Sequence, residues 1–403
     1  MSLLPVEEAL ARILAGVEPL ASEEVPIAEG LGRTLACDLT AKLTQPPWDN
    51  SAMDGYAVRA ADVGDLPARL RVIGNAPAGH GFPGEVGPAQ AVRIFTGAPL
   101  PRGADTIIIQ EDTEQDGEEV VIREAPPPGR FIRRKGLDFS HGEALLAAGH
   151  RLSPRDLALA AAMGWSNLPV RRRPVIALLA TGDELVPPGE LPGPDQIVAS
   201  NGVGIAALVS LAGGQPLDLG IAPDQEEKIS GAVQQAVDAR ADILVTLGGA
   251  SVGEHDLVQA VLTGQGMSLG FWRIAMRPGK PLMFGHLGAM RVLGLPGNPV
   301  SALVCARLFL VALIGALLGR PAGTDSPEPA RLGGDLPAND RRQDYLRARL
   351  DRDAAGTLIA TPFPRQDSSM LATLAHANCL VVRPPHAPAS KAGDPCEILR
   401  IDV

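Results

Sequence analysis

Acidic and hydroxyl side chains follow several apolar segments of this sequence, at the point where each segment ends. Thr181, Asp183 and Glu184 come directly after the run VIALLA, and Asp224 follows a second apolar segment. Because the carboxyl ends of parallel strands meet at one edge of an α/β sheet, where ligands of such sheets bind, we expect these side chains to converge. Asp and Glu oxygens are the ligands that a hard cation prefers. The pattern therefore predicts a Mg²⁺ site.

A third strand end carries the densest set of polar groups. The stretch ADILVTLGGASVGEHDLVQAVL, residues 241–262, predicts an apolar strand, a loop of glycines and hydroxyls, and a helix. Gly248 and Gly249 allow a tight turn, and the backbone N–H groups at the helix start favour an anion. The acidic groups of the same loop, Asp256 among them, would repel an anion unless a cation lies between them. The loop therefore predicts one wall of a site that also holds a cation.

A basic turn supplies the charge that this acidic edge lacks. Arg277 and Lys280 flank a Pro-Gly pair in RPGKP, which limits how far the two cations can separate. After the last strand, Gly297, Asn298 and Ser301 lie at the start of a long apolar segment. Taken singly, a glycine turn or a polar helix cap is explained by local backbone geometry. Several such loops at one sheet edge, together with a basic turn, favour a phosphate or oxyanion ligand beside a divalent cation. No P-loop GxxxxGK[ST] motif occurs, which weakens the common nucleotide-binding interpretation.

The elements that must position these groups alternate as strands and helices from Arg173 onward. The runs PVIALLATGDEL, QPLDLGIAPD and ADILVTL predict strands followed by helical segments, a rhythm typical of a doubly wound sheet. Asn298 and Pro299 suit the N-cap and first position of the last helix. Short strand-like runs earlier in the chain predict a small β domain, flanked by the two pieces of one discontinuous linker domain. The runs after Pro329 predict a compact β-barrel or sandwich.

Composition limits the class of protein. The 403 residues predict two to four domains of about 100 to 150 residues each, and 45% hydrophobic with 20% charged residues fits a soluble globular protein. A net charge of −10 and 3% aromatic residues disfavour binding to nucleic acid or an anionic membrane. The cysteines lack metal-site spacing and the N-terminus lacks signal-peptide features, so we expect reduced thiols and a cytoplasmic location. The apolar run 302–318 is expected to be a buried core helix.

Several long motifs, in the same order along the chain, resemble those of one known family. They are DNSAMDGYAVRAAD from Asp49, FTGAPLPRGADTIIIQED from Phe95, ATGDEL from Ala180, LGGASVGEHD from Leu247, RPGKP from Arg277 and GLPGNPVSAL from Gly294. The chain resembles the molybdopterin molybdenumtransferase family of the MoeA type, which is also found as the E domain of gephyrin. The likeness covers essentially the whole chain, including RQDSSMLATLAHAN from Arg365.

The resemblance implies an elongated homodimer whose subunits have four domains. We expect a discontinuous linker domain at 1–45 plus 141–172, a β lid at 46–140, a doubly wound α/β molybdopterin-binding domain at 173–320 and a C-terminal β-barrel at 321–403. It also implies a reaction, in which molybdate is inserted into adenylylated molybdopterin. Mg²⁺ would assist hydrolysis of the pyrophosphate link, and AMP would be released with formation of molybdenum cofactor.

The resemblance also implies roles for residues of this sequence. Those implied for metal binding or catalysis are Asp183, Glu184, Asp224 and Asp256, of which the last three would be the metal ligands. Those implied for binding the pterin nucleotide are Gly249, Ser251 and Asn298. Those implied for binding molybdate are Arg277, Lys280, Ser301, Arg347 and Ser368. The site would thus draw on both the α/β domain and the barrel.

Lid and barrel residues extend these implications. Asp54 and Thr96 lie in lid motifs and are implied to reach the site of the other subunit, so that the homodimer is part of the catalyst. The implied further partners are a molybdopterin adenylyltransferase and molybdoenzymes that accept the product. The family commonly has glycine two residues before the Gln of its Gln-x-Ser motif, whereas this chain has Pro364. For Arg347 and Ser368, the alternative interpretation is a solvated surface position.

Two other functions stay open. The α/β domain alone also fits molybdopterin adenylylation, and the gephyrin E domain serves as a non-enzymatic scaffold that clusters membrane receptors. The lid and barrel motifs argue against adenylylation, and this chain shows no attached adenylyltransferase domain or long linker. An inert homologue would most simply lack the acidic groups at the strand ends, which are all present here. We favour the transferase.

Overall fold

The N-terminal part of the chain interleaves two structural parts. The computed structural model describes residues 3–248, 257–321 and 327–401. The helices and longer strands before residue 173 are α1 (Val6–Leu14), β1 (Ser22–Pro26), β2 (Leu39–Thr40), β3 (Asn50–Ser51), β4 (Gly55–Val58), β5 (Ala68–Ala76), β6 (Gln90–Ile94), β7 (Thr106–Ile109), β8 (Thr113–Asp116), β9 (Glu119–Ile122), β10 (Ile132–Arg133), β11 (Ala144–Leu146), α2 (Pro154–Ala162) and β12 (Asn167–Arg171). The inner strands form a sheet of their own, and the outer elements pair with each other.

Strand pairing joins the two outer pieces into one linker unit. β1 pairs antiparallel with β12, and β2 pairs antiparallel with β11. The paired segments enclose a core that includes Leu35, Leu152 and Leu168. α2 begins after Ser153, whose N–H donates to the Asp156 carboxylate at 2.7 Å and so stabilises the helix start. The discontinuous linker expected from the two flanking helical pieces is therefore present in the fold.

The lid is a six-stranded sheet with the strand order β7-β4-β6-β5-β9-β8. Its buried residues include Val58, Leu70, Ile94, Ile107 and Ile122, which the two faces of the sheet divide between two small apolar clusters. β-Branched side chains pack well on a pleated surface, which explains why these runs form strands. β3 and β10 pair where the chain enters and leaves the lid.

The α/β part is a mixed sheet covered by helices. Its elements are β13 (Val175–Thr181), β14 (Leu185–Val186), β15 (Ile197–Val198), α3 (Asn201–Leu211), β16 (Gln215–Ala222), α4 (Glu226–Asp238), β17 (Ile243–Leu247), α5 (Leu257–Gly264), β18 (Ser268–Arg273), β19 (Met276–Arg277), β20 (Pro281–Leu287), β21 (Met290–Leu295), α6 (Pro299–Cys305) and α7 (Val311–Leu317). The sheet order is β16-β13-β17-β21-β20-β18, with β16, β13, β17 and β21 parallel and the last two strands antiparallel. The strand order reverses between β13 and β17, so this sheet has a topological switch point there.

The last helix of this part is the apolar centre of the molecule. α6 and α7 are joined by a π-helical turn, Ala306–Leu310, into one helix over Pro299–Leu317. By length and composition this helix could cross a membrane, with a mean hydropathy of 2.4, but 72% of its apolar window is buried inside the protein. Phe309 and Leu313 share a core with Val6 and Ile13 of α1. The prediction of a buried core helix is confirmed.

The C-terminal part is a closed five-stranded barrel. Its elements are β22 (Glu328–Leu332), β23 (Gln343–Arg352), β24 (Leu358–Pro362), α8 (Leu371–His376), β25 (Cys379–Arg383) and β26 (Pro395–Arg400). The strands follow the order β23-β24-β22-β26-β25, and pairing of β25 with β23 closes the barrel. The short strand β19 of the α/β part runs parallel to β23 and places Arg277 opposite Asp344. The basic turn is thereby attached to the barrel.

Candidate functional site

A cleft of about 790 Å³ lies where the parallel strands of the α/β sheet end. It is lined by Glu184 after β13, Asp224 after β16, Gly248 after β17 and Asn298 before α6. Predicted residues from four separate loops are thus brought to one place. The cleft lies at the switch point of the sheet, which is the position at which open α/β sheets bind ligands.

Three carboxylates at these strand ends, Asp183, Glu184 and Asp224, form what we call the acidic wall; Glu184 and Asp224 line the cleft itself, and Asp183 lies beside them. The Asp224 N–H donates to Asp183 Oδ1 at 3.0 Å and ties the ends of β13 and β16 together. Burial, followed by repulsion from Asp183 and Glu184, raises the pKa of Asp224. None of the three carboxylates forms an ion pair with another residue of the described ranges. The acidic wall therefore holds charge that nothing in the described chain neutralises.

The acidic wall has the donor chemistry of a Mg²⁺ site, because carboxylate oxygens are the ligands that this ion prefers. A cation between the carboxylates would also relieve the repulsion that raises the Asp224 pKa. Within residues 3–248, 257–321 and 327–401, no three Asp, Glu, His or Cys side chains are grouped as a complete metal site. The third predicted ligand, Asp256, lies outside the described residues, and so do Gly249 and Ser251.

Two glycines allow the strand ends to approach each other. Gly182 has a φ of +146° and Gly248 a φ of +103°, which side-chain-bearing residues rarely adopt. A Cβ on Gly248 would lie 2.7 Å from the Thr181 carbonyl oxygen, and a Cβ on Gly182 would collide with the Glu184 carboxylate. A substitution at Gly248 would therefore press on the end of β13, whereas a substitution at Gly182 would strain the backbone and push the Glu184 side chain aside.

The start of α6 forms the opposite wall. Asn298 occupies the predicted N-cap position, but its Nδ2 reaches out to the barrel and donates to Ser368 Oγ at 3.0 Å. Ser301, one turn into the helix, is 5% exposed. Asn201 also lines the cleft and donates from Nδ2 to the Gly297 carbonyl at 2.7 Å. Asn201 is not among the predicted site residues, and its only sequence signal is a polar Ser-Asn pair before an apolar helix.

The two cations of the basic turn have different surroundings. The Arg277 guanidinium pairs with Asp344, lies 3.5 Å from Asp340 Oδ2 and donates to Asn339 Oδ1 at 3.3 Å. The hydrogen bond to Asp344 raises the pKa of Arg277. Lys280 is exposed, and its side chain has no hydrogen bond or ion pair within the described part of the chain. Of these two cations, Lys280 therefore has no partner in the described chain, whereas Arg277 is already engaged.

Arg347 is a buried anchor of the barrel. It is 1% exposed, which excludes the solvated surface position considered from the sequence. Its Nε donates to Gln366 Oε1 at 3.2 Å, and its Nη1 donates to the carbonyls of Asp367 at 2.9 Å and Met370 at 3.3 Å. Burial lowers the pKa of Arg347. Arg347 thus holds the loop that carries Ser368 against the start of α6.

Three family descriptions match successive parts of this chain. The MoeA N-terminal region (domain I and II) matches residues 4–164, the probable molybdopterin binding domain matches 177–316, and the MoeA C-terminal region (domain IV) matches 329–401. A molybdopterin molybdenumtransferase of a Nostoc species is 37% identical over 371 residues, which are 90% of this chain and 85% of that protein. The chain belongs to the MoeA family of molybdopterin molybdenumtransferases.

Other MoeA-family proteins cover still more of the chain. The molybdopterin molybdenumtransferase of Bacillus subtilis is 34% identical over 406 residues, covering 99% of this chain and 94% of its own. The crystal structure of the molybdopterin biosynthesis MoeA protein from Pyrococcus horikosii superposes with a TM-score of 0.84 at 33% identity, covering 100% of both chains. The family predicted from the motifs and the multidomain fold class are both confirmed. The predicted domain borders and residue roles stay predictions.

The lid residues implied by the MoeA-family motifs contact each other. Asp54 Oδ1 accepts hydrogen bonds from Thr96 N–H at 2.7 Å and Thr96 Oγ1 at 2.8 Å, and these bonds lower the pKa of Asp54. No hydrogen bond or ion pair of residues 46–140, all of which are described, reaches the described ranges 173–248 and 257–320. Among the described residues of one subunit, the Asp54–Thr96 pair is therefore not hydrogen-bonded to the cleft.

Proposed function

We propose that this protein inserts molybdate into adenylylated molybdopterin, with Mg²⁺-assisted release of AMP and formation of molybdenum cofactor. Membership of the MoeA family gives the broader function, that of a transferase in molybdenum cofactor biosynthesis. The observation that carries the finer proposal is the cleft at the sheet switch point, which Glu184 and Asp224 line without an ion-pair partner in the described chain. Lys280, the neighbour of the cleft residue Pro281, is exposed and likewise has no described partner. Such a site suits a phosphate-bearing ligand bound together with a divalent cation.

The residues of the cleft would divide the work as follows. Asn298 and the backbone around Gly248 would bind the pterin nucleotide, together with Gly249 and Ser251. Glu184, Asp224 and Asp256 would hold Mg²⁺, which would withdraw charge from the phosphate oxygens. Asp183, fixed by the Asp224 N–H, would orient the attacking water. Water oxygen bonds to phosphorus, the phosphoanhydride P–O bond breaks, and the water proton passes to a carboxylate of the acidic wall.

Molybdate would enter from the barrel side of the cleft. Lys280 is the exposed cation without a described partner, so it would make the first contact with the oxyanion. Ser301, Arg347 and Ser368 lie around the start of α6 and would complete the anion contacts. Arg277 would join them while it stays bound to Asp344. This division explains why two distant parts of the sequence contribute to one site.

The proposal extends to assembly and location. A cytoplasmic homodimer would bring Asp54 and Thr96 of one subunit to the cleft of the other, which fits the lack of hydrogen bonds from this pair to the described cleft residues of its own subunit. A molybdopterin adenylyltransferase would supply the substrate, and molybdoenzymes would accept the product. An equimolar mixture of the two inactive variants Asp54→Asn and Asp224→Asn should regain part of the activity. Confirmed mixed dimers without activity would contradict shared sites.

The decisive experiment supplies purified protein with adenylylated molybdopterin, molybdate and Mg²⁺ and measures AMP. We expect AMP release that requires both molybdate and Mg²⁺. Parallel reactions with ATP and unmodified molybdopterin distinguish the adenylyltransferase alternative, for which pyrophosphate would be the product. Absence of AMP in the first reaction at every Mg²⁺ concentration would reject the proposal.

A further inference from the structure

Gln366 holds a barrel loop in place by using every hydrogen-bonding position of its side chain. Its Oε1 accepts from the Arg347 backbone N–H at 3.0 Å and from Arg347 Nε at 3.2 Å. Its Nε2 donates to the Arg347 carbonyl at 2.9 Å and to the Phe363 carbonyl at 2.8 Å. An amide side chain has two donors and two acceptor sites, so none remains for a ligand. Gln366 therefore serves the loop and not the substrate.

The loop that Gln366 fixes ends on the start of α6. Ser368 Oγ accepts from Asn298 Nδ2 at 3.0 Å, and the Ser368 carbonyl accepts from the Val300 N–H at 3.1 Å. Val300 is the second residue of the helix, and an N–H at this position has no partner within its own helix. The N-cap side chain normally satisfies such a group, but Asn298 makes no cap bond here. Ser368 of the barrel thus caps a helix of the α/β part.

We propose that Gln366 is a positioning residue for the reaction. By clamping Arg347 and the segment 363–370, it sets the place of Ser368 and, through Ser368, the orientation of Asn298 at the cleft wall. The inference rests on the proposed function for its catalytic meaning. Its structural part, the cap of α6 by the barrel loop, stands independently and has its own readout. No contact between Gln366 and a ligand is required.

The barrel offers a matched control for a variant of Gln366. Asn378 clamps the same strand in the same way, since it accepts from the Leu350 N–H at 2.6 Å and donates to the Leu350 carbonyl at 3.0 Å. Asn378 has no hydrogen bond to the segment 363–370 among the described residues. Gln366→Met and Asn378→Leu each remove an amide clamp on the same strand while keeping a side chain of similar size, although Gln366 is half-buried and Asn378 is exposed. Both should lower thermal stability to a similar extent.

Hydrogen exchange measures the structural part without any need for activity. Pro299 carries no amide hydrogen, so Val300 is the first amide of α6 that can report on the cap. Gln366→Met should accelerate exchange of the Val300 amide about tenfold or more, because its partner carbonyl is released, whereas Asn378→Leu should leave it unchanged. Residue-resolved exchange mass spectrometry makes this measurement. Equal Val300 exchange in wild type and Gln366→Met would overturn the inference, whether or not the protein releases AMP.

Kinetics measures the catalytic part. Gln366→Met should raise the KM for molybdate about tenfold while kcat at saturating molybdate changes less than about threefold, because positioning is lost and the reacting groups remain. Gln366→Glu should recover part of this change, since its oxygens still accept from both Arg347 groups. A variant that was merely less folded would lower kcat and leave KM unchanged, and that result would contradict a positioning role. So would an equal rise of KM in Asn378→Leu.

Discussion

The acidic wall and the basic residues at the junction with the barrel differ in how their charges are balanced. On the acidic wall, three carboxylates lie together, and burial with mutual repulsion raises the pKa of Asp224. On the barrel side, Arg277 and Arg347 are surrounded by acceptors that belong to the protein itself. Like charges held together without a partner repel each other and destabilise a fold, whereas an opposite partner offsets much of the cost of burying a charge. The acidic wall is therefore the part of the site that a ligand must complete.

This difference separates charged groups that lack a described partner from charged groups that also hold the architecture together. Arg277 joins the α/β part to the barrel through Asp344, which is 4% exposed. Arg347 fixes the loop that caps α6. Lys280 lies three residues from Arg277 but has no described partner. Residues of the same charge in one neighbourhood can thus have different roles, and the pairing decides which. The following predictions test that division.

The largest effect should come from Asp224→Asn. Removing this carboxylate should lower the rate of AMP release by at least about a hundredfold, because one ligand of the proposed Mg²⁺ site is lost. Thermal stability should not fall. The raised pKa of Asp224 means that the native state binds the proton more tightly than the unfolded chain does. At a pH above this raised pKa, the ionised Asp224 therefore opposes folding. The penalty disappears as the pH falls through the raised pKa.

Asp238→Asn provides the control for Asp224→Asn. Asp238 ends α4, away from the cleft, and accepts a hydrogen bond from Gln234. Both substitutions remove one negative charge from the chain. Asp238→Asn should therefore leave AMP release at the wild-type rate in a steady-state assay. Thermal melting in the same buffer compares the stability of the two variants. Unchanged turnover in Asp224→Asn would remove Asp224 from the proposed machinery.

On the barrel side, Asp344→Asn should destabilise the protein by about 1–2 kcal/mol, because it breaks a pair in which the carboxylate is buried and the arginine is partly exposed. Asp351→Asn is the matched control on the same strand, since Asp351 and Arg349 are both exposed and their pair should contribute less than about 0.5 kcal/mol. Denaturant unfolding of both variants measures the difference. Equal destabilisation by the two substitutions would contradict the architectural role of Arg277.

The sequence was sufficient to place the acidic wall. Polar residues directly after apolar strands converge whenever the strands are parallel, so the local pattern around Asp183 and Asp224 predicts their proximity. The same reasoning correctly gave the helix start at Asn298 and the buried helix after it. These features depend on neighbours in sequence and on a general rule of sheet architecture. They do not depend on knowing which distant segments pack together.

The sequence was not sufficient to show how the arginines are used. Arg277 and Asp344 are separated by 67 positions, and Arg347 and Gln366 by 19. The charge of a side chain is known from the residue type. Its ion-pair partner is set by tertiary structure, here by the pairing of β25 with β23 that closes the barrel and by the pairing of β19 with β23. Burial of Arg347 is likewise a result of tertiary packing. The sequence therefore predicted anion contacts at Arg277 and, through the resemblance, at Arg347, and the structure adds that both side chains are also anchored to the protein itself.

The smallest predicted effect is also the most direct measure of the unbalanced wall. Mg²⁺ at about ten times its dissociation constant should stabilise the native protein by about 1.4 kcal/mol, because the proposed site exists in the folded protein and not in the unfolded chain. Differential scanning calorimetry should show a higher melting temperature with Mg²⁺ than with NaCl of equal ionic strength. Asp224→Asn should lose most of this shift. The shift should also shrink as the pH falls through the raised pKa of Asp224, since a proton then competes with the ion. An equal shift in NaCl would mean that screening, and not a bound cation, balances the acidic wall.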